Sequence, residues 1–198
     1  MIQKELWFPT PVWYGQLPIT FGKDFYVDTV NYYQNISKTE KGVQMSNEGG
    51  WQSDHYKLHE IKPFMLNQAL DYIFQQSLQI PNDLGLYGGT LNFGRSWVNL
   101  NPKNSFNHPH FHVGVTLVAV LFLTDSKSKL TFHRGDELAE WNLRTLRSVG
   151  NTELSFSTCE YNCLKGNFVI FPSWVKHSVE INRTEEDRLS AAFDMIYS

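Results

Sequence analysis

The pattern of apolar and polar residues changes character near residue 88 of the chain. Before that point, residues 61–78 carry apolar side chains at positions i, i+4 and i+8, which is the repeat of an amphipathic helix. Residues 25–36 have a similar spacing, and Pro81-Asn82 is expected to end the second helix. The first third of the chain is therefore predicted to be mixed and helical.

From residue 88 onward, apolar residues alternate with polar ones or form short runs between turn residues. This pattern predicts strands over residues 90–100, 115–123, 129–133, 153–158, 167–171, 177–181 and 189–196. Many short strands without long helices between them are typical of a sandwich or jelly roll. We therefore predict one mainly β domain over residues 1–198. Its helical N-terminal portion (1–87) is expected to pack on one sheet of a β core (88–198).

The composition excludes several classes of protein. The 198 residues carry 17 Lys+Arg against 20 Asp+Glu, a net charge of -3, which argues against a basic nucleic-acid groove. The longest apolar stretch, residues 113–123, is shorter than the roughly 20 residues of a membrane-spanning helix. The N-terminus lacks the apolar core of a secretory signal. A soluble, cytoplasmic protein with neither a nucleic-acid nor a membrane partner is therefore expected.

Histidines are concentrated in one short segment, residues 107–112, which reads Asn-His-Pro-His-Phe-His. Alternate side chains of an extended chain share a face, so His110 and His112 can converge on one metal ion. His108 can lie on the same side, but it precedes Pro109, where the chain is predicted to turn, and it is interpreted as a neighbour of the site. This segment is therefore predicted to supply two imidazole ligands.

A third ligand is expected from a strand that is distant in sequence. An apolar run over residues 167–171 enters a Pro-Ser-Trp turn, and His177 opens the next predicted strand. Further along, Arg188 and Ser190 are two residues apart and hence on one strand face. A guanidinium pairs with a carboxylate in a bidentate manner and a hydroxyl adds a donor. This pair therefore suits a dicarboxylic cosubstrate.

The remaining histidines are interpreted differently. His133 is interpreted as a structural residue rather than as part of the substrate site. His55 and His59 are four residues apart, but no His-Glu-x-x-His pattern accompanies them, which argues against a zinc protease. They are given no role.

In this order, the motifs resemble those of the iron(II)/2-oxoglutarate-dependent oxygenases, and within them a family found in bacteria and phages. The similar stretches are Gly49-Gly50-Trp51-Gln52-Ser53, Ser96-Trp97-Val98-Asn99, His110-Phe111-His112-Val113-Gly114, Phe171-Pro172-Ser173-Trp174 with His177, and Arg188-Leu189-Ser190. The resemblance implies a double-stranded β-helix, a jelly-roll or cupin-like fold. It also implies a non-haem iron dioxygenase that uses O2 and couples oxidative decarboxylation of 2-oxoglutarate to hydroxylation of a small-molecule or peptide substrate.

The resemblance further implies roles for individual residues. His110 and His177 are implied as iron(II) ligands, with His112 at the position where most of the superfamily has Asp or Glu. Arg188 is implied to pair with the distal carboxylate of 2-oxoglutarate, helped by Ser190. Asn99 is expected to share a strand face with Trp97 and to hydrogen-bond the cosubstrate or a water ligand.

The histidine at position 112 departs from the usual facial triad of two His and one carboxylate. Three neutral imidazoles leave the full positive charge of the metal without compensation. Asp125 and Asp136 are alternative sources of a carboxylate, although neither has the spacing of the motif.

Two other functions fit the same histidines. A three-histidine cupin-like dioxygenase without 2-oxoglutarate would use His110, His112 and His177 but leave Arg188 without a cosubstrate. A non-catalytic metal-binding jelly roll would hold its metal in a closed coordination sphere. The use of 2-oxoglutarate separates the first alternative from the leading hypothesis, and an open metal position separates the second.

Overall fold

Two antiparallel sheets form the centre of the computed structural model, which describes residues 3, 9–135 and 156–198. Its elements in chain order are β1 (Trp13–Gln16), α1 (Lys23–Ile36), β2 (Asn47–Glu48), β3 (Trp51–Gln52), a 3-10 turn (Leu58–Glu60), α2 (Phe64–Ser77), α3 (Ile80–Asp83), β4 (Leu91–Asn101), β5 (Phe106–His110), β6 (Leu117–Phe122), β7 (Lys129–His133), β8 (Thr158–Asn162), β9 (Asn167–Pro172), β10 (His177–Val179) and β11 (Arg188–Tyr197). The larger sheet has the strand order β1-β9-β6-β11-β4-β3, and the smaller has the order β2-β5-β10-β7-β8. The predicted mainly β class is confirmed.

Strand β11 shows how the sequence divides the two faces of the larger sheet. Side chains alternate along a strand, so Leu189, Ala191 and Phe193 share one face and Arg188 and Ser190 share the other. The apolar set lies in the main hydrophobic core, together with buried side chains of α1 and α2. The helices therefore cover the outer face of the larger sheet, and the polar set points into the space between the sheets.

A second apolar cluster fills part of that inner space. Its buried strand residues come from both sheets: Val118, Phe122, Leu130, Phe132, Val169 and Phe171. Aromatic contacts support the packing, since the rings of Phe132 and Phe171 lie 4.8 Å apart in an edge-on arrangement. The rest of the inner space holds the polar residues considered below.

The second helix differs from its prediction at both ends. Helix α2 begins at Phe64 rather than at residue 61, and the separate 3-10 turn Leu58–Glu60 lies before both positions. It ends at Ser77, and Pro81 lies in the first turn of α3 instead of ending the earlier helix. Proline is tolerated there because the first N–H groups of a helix have no partner within it. In the described residues, no helix is long and apolar enough to cross a membrane.

The strand predictions differ most where strands are short. The prediction over residues 129–133 coincides with β7, whereas β1, β2 and β3 lie in the portion that was predicted to be helical. Of the strand predicted over residues 153–158, positions 153–155 lie outside the described residues, and β8 begins at Thr158. Strand β5 was also not predicted, and it carries part of the histidine segment.

Candidate metal centre

Three imidazoles converge in the space between the two sheets. His110 ends β5 and His177 opens the neighbouring strand β10, where the two residues are direct cross-strand partners. Their ring centroids lie 4.2 Å apart, and the ring of His112 lies 5.3 Å from each. One ligand nitrogen from each ring lies within 4.8 Å of the others. The structure thus brings together the three histidines that the sequence analysis selected.

In all three imidazole rings, Nδ1 faces a hydrogen-bond acceptor. In chain order, the three Nδ1 atoms lie 2.7 Å from the carbonyl oxygen of His108, 3.0 Å from Oδ1 of Asp194 and 2.9 Å from the carbonyl oxygen of Val175. Carbonyl and carboxylate oxygens accept, so each Nδ1 carries the proton and donates it. Each Nε2 therefore keeps a lone pair, which is the arrangement found in metal-binding histidines.

Burial favours the neutral form of two of the three imidazoles, His110 and His177. His177 is 3% exposed and packs against the ring of Phe171. Burial, and after it the repulsion that two protonated imidazoles at positions 110 and 177 would exert on each other, lowers the pKa of His177 to about 3. Burial also lowers the pKa of His110. Neutral imidazole is the form that binds a metal ion. These two histidines are therefore in the metal-binding form at neutral pH.

The lowered pKa of His177 predicts acid sensitivity of the metal-free protein. Its pKa falls from the usual 6.5 to about 3 on folding, so below pH 6.5 the unfolded chain takes up a proton that the folded chain does not. The free energy of unfolding should therefore drop as pH falls below 6.5, with a slope that approaches about 1.4 kcal/mol per pH unit for this group. Urea unfolding of chelator-treated protein between pH 7.5 and 5 measures this slope.

The matched variant is His177→Gln, which keeps a polar side chain but does not titrate. Its unfolding free energy should vary less steeply over the same pH range. Equal slopes for the variant and the wild type would contradict the assignment of the acid sensitivity to this residue.

A cavity of about 670 Å³ opens beside the histidines. Both sheets contribute to its wall, which has an apolar part and a part with amide, hydroxyl and charged side chains. The apolar wall includes Val118, Val120, Leu130 and Val179, and the polar wall includes Gln52, Asn99 and Ser190. His55, which received no role from the sequence, lies in the wall as well, with its ring 5.6 Å from that of Trp97.

The predicted cosubstrate residues lie side by side on the larger sheet. Asn99 and Ser190 are cross-strand partners that line the cavity, and Arg188 is the inward-facing position before Ser190 in β11, opposite Asn101. Arg188 is buried and does not itself line the cavity. Its Nη1 donates to the carbonyl oxygen of Glu180 at 2.7 Å.

Several buried polar atoms in this region lack a partner among the residues that the structure describes. They are Nη2 of Arg188, Oδ1 of Asn99 and Nδ2 of Asn101. Burial also lowers the pKa of the Arg188 guanidinium. A buried charged donor without a partner is costly, since such groups are normally paired. The two N–H donors, Nη2 of Arg188 and Nδ2 of Asn101, therefore fit an anionic ligand that accepts their hydrogen bonds, whereas Oδ1 of Asn99 needs a donor.

The predicted turn at Pro109 is wrong, because β5 continues through this residue. The pairing of β5 with β10 is irregular here, since His177 faces His110 while Val179 faces Asn107. Proline is accommodated at such irregular positions because no ladder hydrogen bond is lost.

The structure places one of the two alternative carboxylates, Asp125, away from the histidines. Asp125 is exposed after β6, and its Oδ1 accepts a hydrogen bond from the backbone N–H of Lys165. Asp136 lies outside the described residues. His133 lies in β7 with its Nε2 2.8 Å from Oγ of Ser178, and it is not part of the cavity wall.

Among the described residues, Asp194 is the carboxylate that contacts the cluster, and the sequence patterns did not reveal it. It is fully buried in β11, and its two oxygens lie 3.0 Å from Nδ1 of His112 and 3.0 Å from Nε of Arg95. The signal that could have found it is strand alternation, since Arg188 and Asp194 are an even number of residues apart on one strand.

The segment that carries this geometry is similar to known proteins. A family model described as "Putative 2OG-Fe(II) oxygenase" matches residues 95–194. A search of curated protein sequences finds no match. Among solved structures, a prolyl-4-hydroxylase from Pseudomonas putida is 17% identical, with a TM-score of 0.58 over 92% of each chain.

Two further solved structures are similar over most of the chain. The non-haem α-ketoglutarate-dependent carbocyclase SnoK from nogalamycin biosynthesis is 12% identical, with a TM-score of 0.62 over 92% of this chain and 78% of that chain. HygX from Streptomyces hygroscopicus, with nickel and 2-oxoglutarate bound, is 13% identical, with a TM-score of 0.59 over 94% and 82%. At these identities the likeness shows the fold, and it confirms the predicted double-stranded β-helix.

Proposed function

Because the chain belongs to the 2OG-Fe(II) oxygenase family, we propose that it couples the oxidative decarboxylation of 2-oxoglutarate to hydroxylation of a small-molecule or peptide substrate. The observation that carries this proposal is the combination of three converging imidazoles and a buried guanidinium without a full set of partners in the same β-helix interior. The first suits a metal ion and the second suits an anionic cosubstrate.

His110, His112 and His177 would hold iron(II) through their Nε2 atoms. Imidazole nitrogen is a ligand type that suits iron, and the Nδ1 hydrogen bonds fix each ring for this use. When bound, iron(II) and 2-oxoglutarate supply the oxidising chemistry with O2, and the protein supplies orientation, charge and a dry site.

Arg188, Ser190 and Asn99 would hold 2-oxoglutarate. Arg188 and Ser190 are adjacent on the inward face of β11. A dicarboxylate that contacts the hydroxyl of Ser190 would therefore have the guanidinium of Arg188 close to it. Nη2 of Arg188 would donate to the distal carboxylate in a charge-assisted hydrogen bond. The apolar wall, which includes Val118 and Val120, would keep water away from these contacts.

The substrate would enter where exposed side chains surround the opening of the cavity. Met45, Phe111 and Val113 are exposed apolar residues in the cavity wall. Gln44 and the half-exposed Arg95 lie in the same wall. This mixed surface favours a substrate with both an apolar and a polar part.

The decisive experiment is anaerobic reconstitution with Fe(II) and 2-oxoglutarate, followed by admission of air and measurement of succinate. The proposal expects succinate that depends on both additions. Oxygen uptake that is indifferent to 2-oxoglutarate would instead favour a three-histidine cupin-like dioxygenase, because the candidate ligands found among the described residues are all histidines. Absence of metal uptake would contradict both enzymes.

A further inference from the structure

We propose that Asp194 supplies, through His112, the negative charge that a carboxylate ligand gives the metal in the usual facial triad. The inference rests on the proposed function only in that the three histidines bind the metal. Asp194 would not touch the metal, so it is a positioning residue that acts through the imidazole between them.

The first support is that the three histidines differ in what lies behind them. Nδ1 of His110 and Nδ1 of His177 donate to neutral backbone carbonyl oxygens. Nδ1 of His112 donates to the carboxylate of Asp194 at 3.0 Å. The carboxylate therefore stands behind the one histidine that occupies the position where the resemblance expects a carboxylate ligand.

The second support is burial, which makes the charge effective. The side chain of Asp194 has no exposed surface, and that of His112 is 10% exposed. Charges interact far more strongly away from water than in it. A carboxylate in contact with a metal-bound imidazole raises the basicity of that ligand, as in carboxylate–histidine–zinc arrangements.

The third support is that the backbone is shaped to hold this contact. The register of β4 against β11 shifts so that Gly94 and Arg95 together face Asp194, which is a bulge. A side chain at Gly94 would place its Cβ 2.9 Å from the carbonyl oxygen of Asp194. The bulge brings Nε of Arg95 to 3.0 Å from Oδ2 of Asp194, so the buried carboxylate is paired even without a metal.

The orientation of the His112 ring is also fixed by its neighbours. It stacks on the indole of Trp97, with centroids 5.6 Å apart and an angle of 23° between the rings. The backbone N–H of His112 donates to the carbonyl oxygen of Ser173 at 2.9 Å. The imidazole therefore has a fixed orientation between Asp194 and the metal position.

The test uses Co(II) as the probe, because its visible absorption reports both its affinity and its ligand field. In Asp194→Asn, an amide oxygen still accepts the hydrogen bond from His112, but the charge is lost. We expect the affinity for Co(II) to fall by about 10- to 100-fold and the visible band to shift. The matched control is Asp125→Asn, which removes an exposed carboxylate outside the cluster and should change neither. Unchanged affinity and spectrum in Asp194→Asn would overturn the inference.

A second pair of variants separates charge from folding. In His112→Asp the carboxylate binds the metal directly, and Asp194 then stands behind it as a like charge. Adding Asp194→Asn to this background should leave Co(II) affinity unchanged or increase it. An equal loss of affinity in both backgrounds would show that Asp194 acts on the fold alone, and would overturn the inference.

The two proposals fail separately. If the wild type binds Co(II) but forms no succinate from 2-oxoglutarate after reconstitution with Fe(II), the oxygenase proposal is contradicted. Retained Co(II) affinity in Asp194→Asn contradicts the role of Asp194.

Discussion

Replacement of His177 by alanine is expected to reduce the affinity for Fe(II) or Co(II) by more than about 100-fold and to remove succinate formation. Loss of a partner behind a metal ligand typically costs 10- to 100-fold, and loss of a ligand itself should cost more. The change also empties a buried position beside Phe171 and leaves the carbonyl oxygen of Val175 without its imidazole donor. Equilibrium dialysis of the purified variant measures the metal affinity directly.

The matched control is His59→Ala, because the side chain of His59 is 77% exposed and lies outside the cluster. It should keep both metal binding and succinate formation. Thermal unfolding with and without Co(II) gives an independent readout, since a ligand that binds only the folded state raises its stability. Retention of the Co(II)-dependent increase in Tm by His177→Ala would contradict the proposed ligand set.

Replacement of Arg188 by methionine is expected to weaken 2-oxoglutarate binding by about 10- to 100-fold, while metal binding is retained. Hydrogen bonds to charged groups contribute about 1.5–3 kcal/mol, and about 1.4 kcal/mol corresponds to tenfold in affinity. Methionine keeps an unbranched apolar side chain in this buried position but removes the guanidinium. Titration of 2-oxoglutarate into the Co(II)-loaded variant gives the dissociation constant.

Arg183→Met serves as the control, since Arg183 is exposed in the connection before β11. It should bind 2-oxoglutarate as the wild type does. If Arg188→Met also binds 2-oxoglutarate normally and turns over at the same rate, the cosubstrate is not anchored at this residue. That result would favour the three-histidine dioxygenase without 2-oxoglutarate.

Local patterns predicted those elements whose own residues carry a clear period. Strands β4, β6, β7 and β9 were predicted within two residues at each end, because alternation or a continuous apolar run marks them. Strands β2 and β3 have two residues each, which is too few for any period to appear. Strand β1 depends on a distant partner instead, since its residues Trp13–Gln16 pair with residues 167–170 of β9.

The candidate site shows the same division between local and distant information. The spacing of His110 and His112 is visible in the sequence, and so is the Arg188-x-Ser190 pair. Asp194 follows His112 by 82 residues and reaches it through the pairing of strands. The bulge that brings Arg95 to the same carboxylate depends on the register of two strands, which no local pattern encodes.

The pairing of His110 with His177 makes the candidate site sensitive to the length of two short strands. Side-chain direction reverses with every residue, so inserting or deleting one residue within β5 or β10 would turn one imidazole to the opposite face of the sheet. Changes of length in connections that leave this pairing intact would leave the two rings facing each other. As an engineering scaffold, the protein should therefore accept loops of varied length, provided that the eight residues of β5 and β10 are kept without insertion or deletion.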